Sequence, residues 1–253
     1  MAQQAYSRPA PRIGTVISTG PVTPNMYRVT LGGSGLADFP PEQDGGYVKL
    51  KVPSGNGDVV RTYTVRRQRK GEIDIDFALH DNGTPDAGPA TRWALEARAG
   101  DEVPVGGPGA AKPLPTGFDF YLVAGDMAAL PAISANLERL DASAKGIAIL
   151  EVQDETDIQP LIAPAGMELR WIVNPHPGRD PERLENAVRE VRWPDGRVYG
   201  WVACEFSAMR LLRQYLRTER GLAPDTLYIS SYWKAGLDEA AHKVAKREDA
   251  EAA

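Results

Sequence analysis

The chain has 253 residues, 42% hydrophobic and 25% charged, with a formal net charge of -5. That length allows one large domain or two modest ones, and the acidic balance argues against a nucleic-acid binder. Cys204 is the only cysteine, which excludes an internal disulfide and suits a reducing compartment.

The opening "MAQQAYSRPAPRIG" lacks the apolar core of a signal peptide. No apolar run approaches the roughly 18 residues that a membrane helix needs. A soluble, cytoplasmic monomer acting away from membranes is expected. The first elements follow a period of two. "GTVISTGPVTPNMYRVTLGG" alternates and breaks at Gly and Pro; "GGYVKLKVP" sets Tyr47, Lys49 and Lys51 against Val48, Leu50 and Val52. "GEIDIDFALH" sets Ile73, Ile75, Phe77 and Leu79 against Asp74, Asp76 and His80. Several short strands in a row predict an antiparallel barrel or sandwich. One helix interrupts them, "TRWALEARAG", opened by Gly88-Pro89 and closed by Gly100.

From Phe118 the rhythm changes to strand and helix in turn. "FDFYLVAGD", "GIAILEV", "LRWIV", "RVYGWVAC" and "TLYISSYW" read as strands. "ALPAISANLERLD", "DPERLENAVREV" and "SAMRLLRQYLRTERG" read as helices with apolar residues at helical spacing. Such alternation predicts a parallel α/β sheet covered by helices. Gly and Pro concentrate in "GGPGAAKPLPTG", residues 106–117, so two domains are expected, 1–112 and 113–253. The tail from Leu237, rich in Ala and charge, reads as a frayed or solvated helix, with an ordered lid as the alternative.

Ligands of parallel α/β sheets bind outside the carboxyl ends of the strands. Those ends carry Asp126, Glu205, Tyr232 and Trp233, which suit ribose hydroxyls and aromatic rings. Asp126 and Glu205 are equally the kind of residue that caps a following helix. No G-x-G-x-x-G is present. The strand half carries a sharper signal. "RTYTVRR" offers Arg61 as a bidentate phosphate grip, Tyr63 as a flat surface for a ring and Thr64 for a ring edge. "DAGPATRWA" puts the small residues Gly88, Ala90 and Thr91 at a helix start, where free amides and the dipole favour a phosphate. His80, His176 and His242 are scattered, and no metal-spaced cluster is evident.

Taken together, "RTYTVR", "DFALHDNGTPDAGPATRWA", "AGDEVPVGGP", "VAGDMAALPAI", "WVACEFSAMRLLRQYLR" and "YISSYWKAG" resemble the siderophore-interacting protein family, flavin-dependent ferric-siderophore reductases of the ferredoxin-reductase superfamily. The segments run in the family's order along almost the whole chain. The resemblance implies an N-terminal antiparallel FAD-binding β-barrel followed by a C-terminal parallel, Rossmann-like α/β reductase domain. It implies FAD contacts at Arg61, Tyr63, Thr64, His80, Gly88, Ala90, Thr91 and Asp126, with Trp233 in an aromatic pair closing over the cofactor. Two departures stand out: Cys204 and Ser231 replace the family's usual glycines, adding atoms where a nicotinamide or flavin edge would pass beside Glu205.

The activity so implied is reduction of an Fe(III)-siderophore with release of Fe(II), the flavin performing the chemistry and the protein supplying orientation and electrostatics. The electron donor is NADH, NADPH or reduced ferredoxin. An anionic chelate calls for a cationic mouth, and Lys49, Lys51, Arg66 and Lys234 are the candidates. The competing readings are a general flavin reductase serving a protein partner such as ferredoxin, and a non-catalytic flavin or siderophore carrier.

Overall fold

The computed structural model describes residues 10–55, 57–80 and 87–251; residues 1–9 and the motif stretch 81–86 lie outside them. Six antiparallel strands close into a barrel in the order β1-β2-β5-β4-β3-β6, which decides between barrel and sandwich. They are β1 (Arg12–Thr23), β2 (Met26–Gly32), β3 (Tyr47–Ser54), β4 (Gly57–Arg69), β5 (Glu72–Ala78) and β6 (Glu102–Gly109). Alternation does what it should in β3: Val48, Leu50 and Val52 are buried in the barrel core, and Lys49 and Lys51 turn away from it.

In β5 the outward face is also covered. Asp74 and Asp76 are buried because arginines fold over them. Arg28 grips Asp76 through two bonds of 2.6 and 2.8 Å, and Arg69 grips Asp74 in the same way at 2.6 and 2.8 Å. Thr30 Oγ1 donates to Asp74 at 2.8 Å. Paired and hydrogen-bonded carboxylates tolerate such burial.

Helix α1 (Pro89–Glu96) starts with Pro89 in its first turn, where the missing N–H costs no helix bond. It stops before Gly100, because the chain is already extended at Ala97 (ψ 136°); Gly100, at φ +96°, serves the turn into β6 instead.

Residues 110–119 lead into a five-stranded parallel sheet of order β11-β10-β7-β8-β9. Its strands are β7 (Phe120–Gly125), β8 (Lys145–Val152), β9 (Gly166–Val173), β10 (Val198–Glu205) and β11 (Leu227–Trp233). Helix α2 (Leu130–Leu137) and the barrel residue Met26 share a core with one face. Helices α3 (Glu182–Arg189) and α4 (Phe206–Gln214) cover the other. The α4 pattern runs on as a wider π turn over Tyr215–Glu219.

The tail corrects the sequence reading. Helix α5 (Glu239–Glu251) is docked rather than solvated. Asp249 receives Arg213 at 2.6 and 2.8 Å, and Lys246 Nζ donates to Ser230 Oγ (3.0 Å) and to the Ser231 carbonyl (2.9 Å). His242 is buried and shares a 2.8 Å hydrogen bond with Ser231 Oγ. His242, Lys246 and Asp249 recur at helical spacing, so a charge-rich composition conceals a contact face.

Buried polar joints fix barrel against sheet. Asp157 accepts from Thr23 Oγ1, Asn25 N and Asn25 Nδ2, each at 2.8 Å. Gln153 Nε2 donates to the Leu79 carbonyl at 2.7 Å, and Arg66 reaches Glu138, just beyond α2, at 2.6 Å. Among the described residues, no helix is long and apolar enough to cross a membrane.

Candidate functional site

Between barrel and sheet lies a groove of about 680 Å³. One wall is β4. Antiparallel pairing with β3 places Lys49 opposite Thr62 and Tyr47 opposite Thr64, and Arg61 through Thr64 all reach the groove. Tyr63 lies against Phe77, with ring centroids 4.2 Å apart and planes tilted by 42°, and Phe77 leans in turn on Trp93 of α1. This aromatic stack fixes the Tyr63 ring, and its burial pushes the phenol pKa up. Arg61 donates to the backbone carbonyl of Val60 at 3.0 Å and pairs with no carboxylate among the described residues. Its charge is therefore available to an anion.

The start of α1 supplies the second anionic element. Among the described residues no side chain caps this helix start, and Ala90 and Thr91 line the groove. A Cβ added at Gly88 would meet no described atom within 4 Å. A cation, bare helix amides and a flat phenol ring on one groove fit a ligand with a diphosphate and a planar heterocycle.

The facing wall belongs to the sheet. His80 and Trp233 stack with centroids 4.6 Å apart and planes 27° apart. The Trp233 indole donates to Asp126 Oδ2 at 2.7 Å, and the same carboxylate accepts from Glu205 N (2.8 Å) and Ala128 N (3.0 Å). Asp126 is thus one bond behind the groove wall and sets the ring that forms it. A bulge between β10 and β11 pairs Cys204 with Ser231 but Glu205 with Trp233, which turns this end of β11 toward the groove. At the far end α5 contributes Glu239, His242, Lys243 and Lys246.

Of the residues singled out from sequence, Arg61, Tyr63, Thr64, His80, Gly88, Ala90, Thr91, Trp233, Lys49 and Lys234 line this groove together. The others are placed elsewhere. Lys51 faces Asp58 at 3.0 Å on the barrel exterior. Arg66 is spent on Glu138, tying β4 to the α/β half. Glu205 caps α4 by accepting from the Ser207 and Ala208 amides, and also accepts from Ala235 N at 3.2 Å. Cys204 is buried in the core beneath α4, where burial pushes its thiol pKa well up. Its extra atoms therefore point away from the groove; those of Ser231 line it.

Sequence reasoning missed Trp201, Tyr228, Lys243, Lys246 and the role of His242. Tyr228 and Tyr232 lie two pleats apart on β11 and meet Trp201 at 5.2 and 6.5 Å between centroids. Period two along "TLYISSYW" would have put both tyrosines on one face. The α5 residues were legible only as a helical contact face. His242 is driven down to about 4 by burial first and then by the charge of Lys246.

Comparison with known proteins agrees with this architecture. Residues 118–236 match the siderophore-interacting protein family and residues 51–112 match the siderophore-interacting FAD-binding domain. The ferric vibriobactin reductase ViuB of Vibrio cholerae is 36% identical, the alignment covering 92% of each chain. The NADPH-dependent ferric-chelate reductase of Escherichia coli is 24% identical over 87% of this chain and 92% of its own. Among solved structures, the siderophore-interacting protein SipS from Aeromonas hydrophila superposes with a TM-score of 0.83 at 32% identity, covering 96% of this chain and 98% of that one.

Proposed function

Since this chain belongs to the siderophore-interacting protein family, we propose that it is an FAD-dependent oxidoreductase that reduces ferric siderophores and releases their iron as Fe(II). The observation that carries this reading is the convergence, on one groove, of a guanidinium with no carboxylate partner and a helix start with no side-chain cap among the described residues, and a fixed aromatic ring.

Arg61 and the amides of Ala90 and Thr91 hold the FAD diphosphate. Tyr63, locked by Phe77, offers its flat face to the flavin ring, and the Thr64 hydroxyl meets the ring edge. The His80–Trp233 stack closes the wall contributed by the sheet, and Asp126 fixes the indole orientation. Bound FAD supplies two-electron acceptance and one-electron donation, chemistry that no side chain here offers.

The substrate is an Fe(III) chelate with hard oxygen ligands, whose grip weakens once the iron is Fe(II). Lys234 is the best candidate for steering an anionic chelate. It lies over the Phe206 ring, 4.2 Å from its centroid, and forms no salt bridge among the described residues. Lys49 also lines the groove but is shared with Thr62 and Glu239, at 3.1 and 3.4 Å. Lys51 and Arg66 drop out of this role, since each already serves a carboxylate. A nicotinamide nucleotide is the donor we favour, NADPH being the one in the name of the E. coli relative.

The test is spectroscopic. Protein reconstituted with FAD should be yellow, bleach anaerobically on adding NADPH or NADH, and recover its colour when a ferric chelate is added. Bleaching without recovery on ferric chelate, but with recovery on an iron–sulfur or haem protein, would replace this reading by a reductase for a protein partner.

A further inference from the structure

His80 and Trp233 line not only the groove but also a small cavity of about 10 Å³, shared with Asp126, Glu151 and Gln153. That volume is at the lower limit for one water. It places two buried carboxyl groups directly behind the aromatic pair that forms the groove wall.

The two carboxyls have opposite surroundings. Asp126 accepts three N–H donors, from Glu205, Ala128 and the Trp233 indole, an arrangement that favours the ionised form. Glu151, the penultimate residue of β8, is 9% exposed and makes no salt bridge among the described residues. The Asn174 side-chain amide approaches it and favours its ionised form, but the approach falls short of a full hydrogen bond and leaves the buried Nδ2 without a close partner among the described residues. A donor is thus held ready for a Glu151 carboxylate but is not fully engaged.

Among the described residues, the charged and titratable groups around Glu151 are Asp126 from the end of β7, Asp180 just before α3 and Arg183 in its first turn, Cys204 from β10 and His80 from the barrel. Asp126 in turn faces Glu205, Cys204 and Tyr232. Burial, followed by the Asp126 charge, pushes Glu151 up to about 8. Burial raises Asp126 only to about 6 against the pull of its donors. Environments that drive two carboxyls apart assign them different proton states, so near neutrality Glu151 carries a proton and Asp126 does not.

We propose that Glu151 is a proton store for the redox cycle in the groove, with Asp126 held ionised beside it and Asn174 receiving the Glu151 carboxylate whenever the proton leaves. This inference rests on the flavin reading. Bound flavin, on taking up two electrons and one proton, would keep one negative charge; the proton comes with the hydride of a nicotinamide nucleotide, or from solvent when dithionite supplies electrons alone. That charge would raise the proton affinity of Glu151, so that in the fraction of molecules where Glu151 is ionised a second proton moves from solvent onto its carboxylate. When two ferric chelates each remove one electron, the flavin proton and the Glu151 proton both return to solvent. Linkage is reciprocal: whatever raises the proton affinity of Glu151 on reduction also makes reduction easier when Glu151 is protonated. Exchange is largest on the alkaline side of neutrality, where Glu151 of the oxidised protein has begun to ionise.

The experiment counts protons. FAD-loaded protein is reduced with dithionite in weak buffer, and proton uptake per flavin is read at a series of pH values after subtracting the uptake of the reductant. Wild type should take up more than one proton per flavin, with the excess greatest near pH 8. Glu151→Gln should remove that excess, and Glu151→Asp should keep it at a shifted pH. An excess that persists unchanged in Glu151→Gln overturns the proposal, as does uptake of one proton at every pH in wild type. Should the glutamine variant not fold, infrared difference spectra of the wild type decide: gain of a protonated-carboxyl band on reduction supports the store, and its absence removes it. A yellow protein without excess uptake sinks this inference alone; a protein that refuses FAD sinks the flavin reading with it.

Discussion

The two walls of the groove are built by different means. The barrel wall is local: Arg61, Thr62, Tyr63 and Thr64 follow one another on a single strand, and a nearby helix start completes it. The facing wall is assembled at a distance, from the ends of the sheet strands β7, β10 and β11, the docked face of α5 and His80 beyond the end of barrel strand β5. The first kind of wall binds through one charge and a few amides and is sensitive to single changes there. The second depends on a chain of positioning contacts, so its failures should appear in stability and ring geometry before they appear in affinity.

Arg61→Ala breaks the barrel wall most directly. Charge-assisted hydrogen bonds are worth about 1.5–3 kcal/mol, so FAD affinity should fall by about tenfold to hundredfold in an equilibrium titration. Arg61→Lys should recover only part of it, because an ammonium lacks the planar fork. The corresponding break in the sheet wall is Asp126→Ala. It strands three N–H groups, two of them backbone, and should cost about 2 kcal/mol or more, seen as a drop of several degrees in Tm. Trp233 fluorescence should change with it, whereas Arg61→Ala should leave that emission alone.

Smaller effects separate steering from structure. Lys234→Ala should raise KM for an anionic ferric chelate about two- to fivefold, an effect that shrinks at high salt. KM for a neutral chelate should not move. Arg66→Ala should leave both KM values in place and lower Tm instead, because its partner is Glu138. Equal KM effects of the two substitutions would return Arg66 to the substrate.

The buried acids and His242 respond to pH in opposite senses. Glu151 is raised to about 8, so the folded state keeps a proton that the unfolded chain releases, and stability is lost as pH rises from the usual carboxylate range through about 8. Glu151→Gln should therefore gain Tm relative to wild type as pH rises, most clearly above pH 8. His242 is lowered to about 4, so the unfolded chain binds the extra proton and the α5 contact weakens as pH falls from 6.5 toward 4. Amide exchange in α5 should accelerate over that interval, and less so in His242→Gln.

What could be read in advance follows the same division. The barrel and the alternating α/β half were legible because burial has a period along each strand and helix. The barrel wall was legible because its residues are neighbours in the chain. Arg66 was misassigned for the converse reason: its charge looks like that of Arg61, and only the packing of α2 on β4 reveals Glu138. Cys204 was placed in the nicotinamide region because it replaces the family's usual glycine, but its side chain packs into the core beneath α4. The α5 contacts were hidden by composition, since a helix rich in Lys, Glu and Ala docks here through one histidine, one lysine that donates to a hydroxyl and a carbonyl, and one ion-paired aspartate.

The most direct test of the central claim is a crystal structure grown with FAD. The diphosphate is expected against the Arg61 guanidinium and the Ala90 and Thr91 amides, with the flavin ring on Tyr63. An empty groove, or FAD bound elsewhere on the molecule, would contradict it.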